Sequence, residues 1–261
     1  MKAVIFCGGK GTRLHEETEF KPKPLVQIGN MPILWHIMKL YAFYGVKEFI
    51  LCLGYKGNAI KEYFLNFEQM SNDFTLNLRS PDKKIVYYSD STLEDWIINF
   101  KDTGLESQTG SRLSRIKSLI GNDEDFFLTY GDGVSDININ DLYAFHKEKD
   151  HILTITGVHP ISPFGMLTIE DDGLVVNFKQ KPKLDGRING GFFVCKKEIF
   201  DYVSDDPDCV FEEAPMENLA NDKQIVAYPH NGFWYAMDTQ KQVNELNRMW
   251  ASGNAAWKIW R

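Results

Sequence analysis

Short apolar runs and amphipathic segments alternate along the first quarter of the chain. Residues 3–6 and 48–53 are largely apolar runs with the length of buried strands. Residues 32–41 and 57–64 instead repeat apolar side chains at helical spacing, and a proline opens the first of these segments. The order strand, helix, strand, helix predicts a parallel sheet whose strands are joined by right-handed crossover helices.

Beyond residue 70 the pattern changes to successive strands. Residues 74–79, 85–88 and 96–100 look like strands without helices between them, and we expect antiparallel additions beside the parallel sheet. Further helical patterns lie at 113–120, 139–147, 211–219 and 239–250. Further strand patterns lie at 125–130, 152–158, 166–169, 174–178, 189–195, 225–228 and 232–239. The sequence predicts an α/β fold with a Rossmann-like mixed, mostly parallel sheet flanked by helices and a β-rich C-terminal part.

Composition narrows the class of protein. The chain has 261 residues, 43% of them apolar and 25% charged, which are ordinary values for a globular enzyme. The formal net charge of −7 argues against a nucleic-acid surface or an anionic membrane as partner. No repeat, low-complexity tract or linker interrupts the chain, so we predict a single domain over residues 1–261.

The cysteines and the N-terminus bear on the compartment. The four cysteines show no paired metal-ligand spacing, and Cys7, Cys52 and Cys195 lie in apolar strand-like runs, so we expect buried free thiols. The chain opens directly into a strand, without a signal segment, and it has no apolar span of about 20 residues. We therefore expect no membrane insertion and a cytoplasmic location.

The stretch from Gly8 to Pro24, GGKGTRLHEETEFKPKP, concentrates positive charge directly after the first strand. Its glycines allow close approach of a ligand to the backbone, and backbone N–H groups with fixed cations are what a polyphosphate needs. The glycines and cations are Gly8, Gly9, Gly11, Lys10, Arg13, Lys21 and Lys23. An ordinary glycine turn with solvated lysines is the alternative for each residue alone, but the stretch as a unit favours phosphate binding.

Spacing excludes two better-known phosphate loops. No Walker A string occurs in the chain, and a dinucleotide fingerprint needs a glycine where Leu14 stands, with a helix opening directly after it. The prolines within residues 21–24 disfavour helix in the residues before them. We therefore expect a long, open loop, which suits a triphosphate better than a pyrophosphate seated on one helix end.

Three later segments carry candidate chemistry. Residues 102–112 combine two glycines, several hydroxyls and an arginine, a composition able to read a base edge, although a turn capped by Thr109 or Ser111 is the alternative. Asp132, between two glycines after a predicted strand, occupies a common metal or ligand position, with a simple turn as the alternative. Lys181 lies in a second basic patch, where a solvated charge cluster is the default interpretation.

These motifs together resemble the sugar nucleotidyltransferase family over essentially the whole chain. GGKGTRL at 8–14 and KPKP at 21–24 indicate the broad family. The branch is indicated by TGSR at 109–112, GDGVSD at 131–136 and WKIW at 257–260, which resemble the glucose-1-phosphate cytidylyltransferases. The resemblance implies transfer of the cytidylyl group of CTP to a sugar 1-phosphate, first of all glucose 1-phosphate, giving a CDP-sugar and pyrophosphate.

The resemblance also implies a role for each matching position. Residues 1–150 would form the nucleotide-binding part and residues 151–261 the acceptor-binding part with the C-terminal helix. Arg13, Lys23 and Asp132 would be catalytic, and Asp132 and Asp238 would hold the cofactor Mg²⁺. The nucleotide-binding positions are Gly8, Gly9, Gly11, Thr12, Arg13, Lys23, Ser107, Thr109, Gly110, Arg112 and Gly131. The acceptor-binding positions are Gly165, Gln180, Lys181 and Asn189.

Two positions depart from the family pattern. Pro163 stands where glucose-1-phosphate enzymes usually have arginine, and Gln180 stands where they have glutamate. The alternative acceptor is therefore another sugar or polyol phosphate, used for cell-surface polysaccharide synthesis. Two other classes are weaker: an oxidoreductase fails at Leu14, and a non-catalytic nucleotide sensor would be expected to lose Asp132 or Asp238.

Family members are oligomers, and the resemblance implies a homo-oligomer here. Three tryptophans close the chain, at positions 250, 257 and 260. They fit an interface between copies, but packing onto the chain's own surface explains them equally well.

Overall fold

A computed structural model describes residues 1–79, 84–88, 94–162 and 164–260, with the side chains of His15 and Glu16 excepted. Strands alternate with helices up to residue 71 and predominate after residue 150. The strands are β1 (Lys2–Phe6), β2 (Gln27–Ile28), β3 (Met31–Pro32), β4 (Glu48–Leu53), β5 (Phe74–Leu76), β6 (Ile85–Tyr87), β7 (Ile97–Asp102), β8 (Asp125–Tyr130), β9 (Gly133–Ser135), β10 (Leu153–Val158), β11 (Gly165–Ile169), β12 (Val175–Gln180), β13 (Ile188–Lys196), β14 (Ile225–His230) and β15 (Trp234–Ala236).

Helices cover both faces of the sheet. They are α1 (His15–Thr18), α2 (Ile33–Phe43), α3 (Gly57–Leu65), α4 (Phe67–Ser71), α5 (Thr109–Ser114), α6 (Lys117–Ile120), α7 (Ile139–Lys149), α8 (Ala214–Asn221) and α9 (Gln240–Ala251), with 3₁₀ helices at Thr12–Leu14, Lys23–Leu25 and Lys197–Asp201. None of the helices in the described ranges is both long and apolar enough to cross a bilayer.

Seven strands form the central sheet, in the order β14-β10-β13-β8-β1-β4-β7. Every pairing is parallel except the two that β13 makes, with β10 and with β8. The mixed, mostly parallel sheet flanked by helices confirms the predicted fold class. Because six strands run in one direction, their carboxyl ends and the loops that follow them meet at one edge, where ligands bind in such sheets.

Alternate side chains of β1 enter two separate cores. Ala3 and Ile5 face the core that α2, α7 and α9 cover, whereas Val4 and Phe6 face the core beneath α5, α6 and α8. A strand buried on both faces is expected to be apolar throughout, which explains the uninterrupted run seen in the sequence. Cys7 and Cys52 are buried free thiols, as predicted, and burial raises the pKa of Cys52 to about 12.

The middle of the chain differs from the prediction. β7 joins the edge of the main sheet in parallel with β4, from Glu48↔Ile97 to Leu53↔Asp102, rather than as an antiparallel addition. β5 and β6 pair with each other and form a separate two-stranded sheet. Periodicity identifies a strand but not its partner, and the crossover from β4 to β7 contains this small hairpin besides α3 and α4.

The predicted long open loop also contains local structure. The 3₁₀ helix at residues 12–14, the single turn of α1 and the 3₁₀ helix at residues 23–25 were not expected. In the last of these, Pro22 stays extended as the N-cap and Pro24 lies within the first turn, where a missing N–H has no effect. The prolines therefore exclude a long helix but permit one short turn.

The C-terminal tryptophans pack onto the chain's own surface. Trp257 and Trp260 are 1% and 7% exposed, and the ring of Trp250 lies 4.8 Å from that of His36 on α2. His36 Nε2 lies 2.9 Å from the Ile28 carbonyl, and Trp257 Nε1 donates to His36 Nδ1 at 3.4 Å. These contacts require a neutral imidazole that is protonated on Nε2.

The buried His36 makes stability depend on pH. Burial lowers its pKa to about 4, against about 6.5 in an unfolded chain. The unfolded state therefore takes up a proton first as the pH falls, and the native state loses about 2 kcal/mol between about pH 7.5 and pH 5. We expect urea unfolding of His36→Gln, which cannot titrate, to show a correspondingly smaller drop over this range. An unchanged drop would contradict this account of His36.

Candidate active site

The loops that follow β1, β4, β7 and β8 meet at the carboxyl edge of the sheet. Gly8 opens the loop after β1, and its carbonyl accepts from the Tyr55 amide after β4 at 3.1 Å. The Thr103 amide after β7 donates to the Leu53 carbonyl at 2.9 Å. Asp132 follows β8. The predicted phosphate loop, the predicted base-reading loop and the predicted metal ligand are thus brought to one place.

Arg112 joins three of these loops from inside the protein. Its side chain is buried, and burial lowers its pKa. Its guanidinium donates to oxygens of the chain: Thr103 Oγ1 at 2.8 Å, the Gly104 carbonyl at 2.9 Å, the Leu53 carbonyl at 3.0 Å and the Gly8 carbonyl at 3.1 Å. Arg112 lines the cavity next to the glycine loop, but these bonds, with a fifth to the Leu105 carbonyl at 3.4 Å, make it first a support for the loops.

The glycine at position 8 is required by this support. A Cβ at Gly8 would lie 2.1 Å from Nη1 of Arg112, closer than any real contact, so only glycine lets the guanidinium reach the carbonyl. Gly11 has a φ of +64°, a left-handed conformation that side chains disfavour. The two glycines are therefore important for different reasons: Gly8 permits the close approach of Arg112, and Gly11 permits a turn.

Lys23 lies between two carboxylates. Its ammonium is 2.6 Å from Asp132 Oδ2 and 2.7 Å from Asp238 Oδ1, and its side chain is only 12% exposed. Arg13 reaches Asp238 Oδ2 at 3.3 Å from a largely exposed position. The four residues predicted to be catalytic or metal-binding are thus in contact with one another.

Local structure explains why Asp132 and Asp238 meet although they are far apart in sequence. β9 and β15 pair antiparallel, with Gly133 opposite Ala236, and the Met237 amide donates to the Asp132 carbonyl at 2.8 Å. Asp238 also precedes the N-cap of α9, where Gln242 Oε1 accepts from its amide at 2.8 Å. Hydrogen bonds therefore fix the backbone of both Asp132 and Asp238.

A cavity of about 270 Å³ contains most of the predicted nucleotide-binding positions. Its lining includes Gly8, Gly9, Gly11, Thr12, Arg13, Lys23, Ser107, Gln108, Thr109, Arg112, Tyr130, Gly131, Asp132 and Asp238. Gly110 is not among these lining residues, and its amide donates to the Cys209 carbonyl at 2.9 Å. Ser107 is buried and accepts from Arg115 at 2.8 Å.

A second cavity of about 300 Å³ adjoins the first and shares Arg13, Tyr130, Asp132 and Asp238 with it. Asn189, the predicted acceptor-binding residue on β13, lines this second cavity. Beside it Trp234 Nε1 donates to the Gly190 carbonyl at 2.6 Å.

The other predicted acceptor-binding residues lie elsewhere. Gly165 and Gln180 face each other across the two-stranded ribbon of β11 and β12, and Lys181 follows it with a φ of +47°. Gln180 and Lys181 are exposed, and these three are absent from the described residues that line the two cavities. Pro163, where the family pattern breaks, lies outside the described residues.

Sequence reasoning did not assign Tyr130, Trp234 and Glu212. Tyr130 lines both cavities and carried a signal, since it is the last residue of a predicted strand directly before Gly131. Glu212 is one of two consecutive glutamates at the start of a predicted helix, and nothing in the sequence distinguishes it from Glu213. Its contacts with Thr109 and Tyr130 are visible only in the structure.

Asp132 and Asp238 both contact one cation, the Lys23 ammonium. Two carboxylates that converge in this way are a donor set that fits Mg²⁺. This ion prefers one or two carboxylates together with substrate phosphates. Among the described residues no group of three or more His, Cys, Asp or Glu side chains is arranged to hold a metal by itself. Asp132 and Asp238 therefore fit a metal bound jointly with phosphate oxygens.

Comparisons with known proteins identify the family. Residues 2–248 match the family model described as nucleotidyl transferase. The chain is 48% identical over 260 residues to a probable glucose-1-phosphate cytidylyltransferase of Bacillus subtilis, with all of both chains covered. It is 44% identical over 261 residues to the glucose-1-phosphate cytidylyltransferase of Salmonella typhi, again with all of both chains covered.

A solved structure shares the fold. The crystal structure of HddC from Yersinia pseudotuberculosis matches with a TM-score of 0.68 and 22% identity, over 95% of this chain and 99% of that one. At this identity the likeness shows the fold alone. The family match and the two full-length relatives confirm the family predicted from the sequence: the chain belongs to the nucleotidyl transferase family.

Proposed function

We propose that this chain transfers the cytidylyl group of CTP to glucose 1-phosphate, giving CDP-glucose and pyrophosphate. The observation that carries the proposal is the full-length identity of 48% and 44% to two relatives named for this reaction. Two adjoining cavities that share Arg13, Asp132 and Asp238 support it, because the reaction must bring two phosphate-bearing substrates together.

The chemistry follows from the charges at the junction of the cavities. An oxygen of the acceptor's phosphate attacks the α-phosphorus of CTP, and the bond to pyrophosphate breaks as the new bond forms. That phosphate oxygen is already ionised near neutral pH, so no general base is needed. Lys23 and Arg13 lie at the junction and stabilise the charge that develops on the α-phosphate and on the leaving pyrophosphate.

Mg²⁺ is the cofactor in this proposal, held by Asp132 and Asp238. When bound, it supplies positive charge that neutralises the phosphates. Lys23 now contacts both carboxylates at 2.6 and 2.7 Å, so its ammonium must turn away from them when they hold the ion. Lys23 lines the first cavity together with Gly8 and Gly11, and its ammonium would lie there. Lys23 would then contact the phosphate at the reacting centre.

Three further properties belong to the proposal. The chain forms a homo-oligomer, works in the cytoplasm and supplies cell-surface polysaccharide synthesis. The first and third rest on the family resemblance. The second also rests on the buried free thiols Cys7, Cys52 and Cys195, which are typical of proteins from reducing compartments.

A second acceptor is kept open by one observation. Gln180 stands where glucose-1-phosphate enzymes usually have glutamate. Another sugar or polyol phosphate is therefore the alternative substrate.

The nucleotide specificity tests the proposal directly. We expect pyrophosphate release with CTP, Mg²⁺ and glucose 1-phosphate, and a kcat/KM for UTP at least about 100-fold lower. The reason is that cytosine offers an exocyclic amine donor where uracil offers an acceptor, so the wrong base leaves polar groups unpaired. The measurement is initial-rate pyrophosphate release with each nucleotide. Comparable values for CTP and UTP would refute the proposed nucleotide.

The metal assignment makes a separate prediction. We expect Asp132→Asn and Asp238→Asn each to lower kcat by about 100-fold or more, because charge neutralisation by the ion contributes several kcal/mol. Asp141→Asn, on the exposed first turn of α7, is the matched control and should keep its activity. Steady-state rates over a Mg²⁺ titration, with circular dichroism for the fold, are the measurements. Near-normal turnover of either variant at saturating Mg²⁺ would show the assignment to be wrong.

The acceptor is tested with a panel of phosphorylated sugars and polyols. We expect glucose 1-phosphate to give the highest kcat/KM, about 10⁴ M⁻¹s⁻¹ or above. Gln180→Glu should change this value by less than about 3-fold, because an exposed group contributes little discrimination. Asn177→Asp on the same strand provides the matched charge control. A much lower value that Gln180→Glu raises would instead favour the alternative acceptor.

A further inference from the structure

The Glu212 carboxylate connects a residue that lines the first cavity with a residue that lines both cavities. Glu212 Oε2 accepts from Thr109 Oγ1 at 2.6 Å, and its Oε1 accepts from the hydroxyl of Tyr130. Thr109 lines the first cavity and Tyr130 lines both. Glu212 itself is not among the described residues that line either cavity. It is therefore placed to act through its neighbours rather than on a ligand.

Donor and acceptor can be assigned in each of the hydrogen bonds that connect Glu212, Tyr130 and Asn189. An ionised carboxylate only accepts, so Tyr130 must donate to Glu212, and its oxygen is left to accept from Asn189 Nδ2 at 3.2 Å. Asn189 Oδ1 accepts from the Gly191 amide at 2.7 Å, and a backbone amide can only donate. The Asn189 amide is thus fixed at both ends, and one Nδ2 hydrogen remains for the second cavity, which Asn189 lines.

The Tyr130 ring has little freedom other than rotation of its hydroxyl. Gly191 has a φ of +76°, and a Cβ there would lie 2.5 Å from Cδ2 of Tyr130, so the ring packs directly on the backbone. The Phe193 ring lies 5.7 Å away in an edge-to-face contact. Burial first, and the Glu212 charge second, raise the pKa of Tyr130, so the hydroxyl keeps its proton.

We propose that Glu212 is a positioning residue for the acceptor: it orients the Tyr130 hydroxyl and, through it, the Asn189 amide that meets the hydroxyls of the sugar phosphate. The inference rests on the proposed function in taking that acceptor to be a sugar phosphate. Without Glu212 the Tyr130 hydroxyl can rotate and point its hydrogen toward Asn189. This would favour the flipped Asn189 amide, with Oδ1 instead of Nδ2 facing the hydroxyl, over the present orientation.

The structure of the first cavity, which would bind the nucleotide, depends less on Glu212. Thr109 Oγ1 also accepts from the Phe211 amide at 2.9 Å. The amides of Gly110 and Ser111 both donate to the Cys209 carbonyl, at 2.9 and 3.1 Å. These backbone bonds hold the start of α5 in place without the carboxylate. Removal of Glu212 should therefore affect the acceptor more than the nucleotide.

Steady-state kinetics of Glu212→Ala test the inference. We expect the KM for glucose 1-phosphate to rise about 10-fold, the effect of one lost oriented hydrogen bond, and the KM for CTP to rise less than about 3-fold. Glu213→Ala is the matched control, because Glu213 is the neighbouring exposed glutamate, and it should leave both constants unchanged. A larger effect on CTP than on the acceptor would overturn the inference.

Tyr130→Phe separates a positioning role from a structural one. This variant keeps Glu212 and the ring but removes the connecting hydroxyl, and we expect it to reproduce the rise in acceptor KM. The double variant should be no worse than either single one, because both break the same chain of bonds. Fully additive effects would overturn the inference. If Glu212→Ala folds poorly, Tyr130→Phe still tests the inference.

A spectroscopic measurement needs no substrate. The ¹⁵N side-chain amide signal of Asn189, assigned by its loss in Asn189→Asp, should shift in Glu212→Ala and Tyr130→Phe but not in Glu213→Ala. An unmoved signal in Glu212→Ala overturns the inference. If the wild type fails to use glucose 1-phosphate while the signal shifts as expected, the proposed acceptor falls and the positioning role of Glu212 stands.

Discussion

The buried guanidinium of Arg112 is the interaction on which the ligand-binding edge of the sheet depends. It donates to oxygens of the loops that follow β1, β4 and β7, including the carbonyls of Gly8 and Leu53. A buried charge is costly unless its hydrogen bonds are satisfied, and here chain oxygens satisfy them. Neutral carbonyls, rather than a carboxylate, leave the positive charge of Arg112 unneutralised beside a cavity built for phosphates. One residue thus fixes the loop geometry and adds to the positive potential of the site.

Much of the architecture was predictable because strands buried on both faces need apolar runs. The apolar runs of β1 and β4 predict buried strands for that reason, and the helical spacing of α2 and α3 predicts the crossovers. Partners of strands were not predictable. β7 was expected to be antiparallel and is parallel, because side-chain periodicity contains no information on which neighbour a strand finds.

The site was predictable where residues follow strand ends and less so elsewhere. Gly8, Lys23, Asp132 and Asp238 lie together because their loops share one edge or are joined by the pairing of β9 with β15. The role of Glu212 was not predictable, because its two contacts are with residues about 80 to 100 positions earlier in the chain. Gln180, assigned from the resemblance, ends the exposed ribbon of β11 and β12, and Lys181, noted also for its basic patch, follows it; neither is among the described residues that line the two cavities.

The pairing of β9 with β15 links ligand binding to the completion of folding. It brings Asp132 close to Asp238, which lies 106 positions later in the sequence, and it consists of only three residue pairs. Contacts between such distant segments carry a large entropy of loop closure and need the surrounding structure to form. A chain in which α9 and β15 have not docked therefore has half of the carboxylate pair. Any ligand that needs both carboxylates binds the native state alone, so by mass action the free energy of unfolding rises with the logarithm of the ligand concentration once that concentration exceeds the Kd.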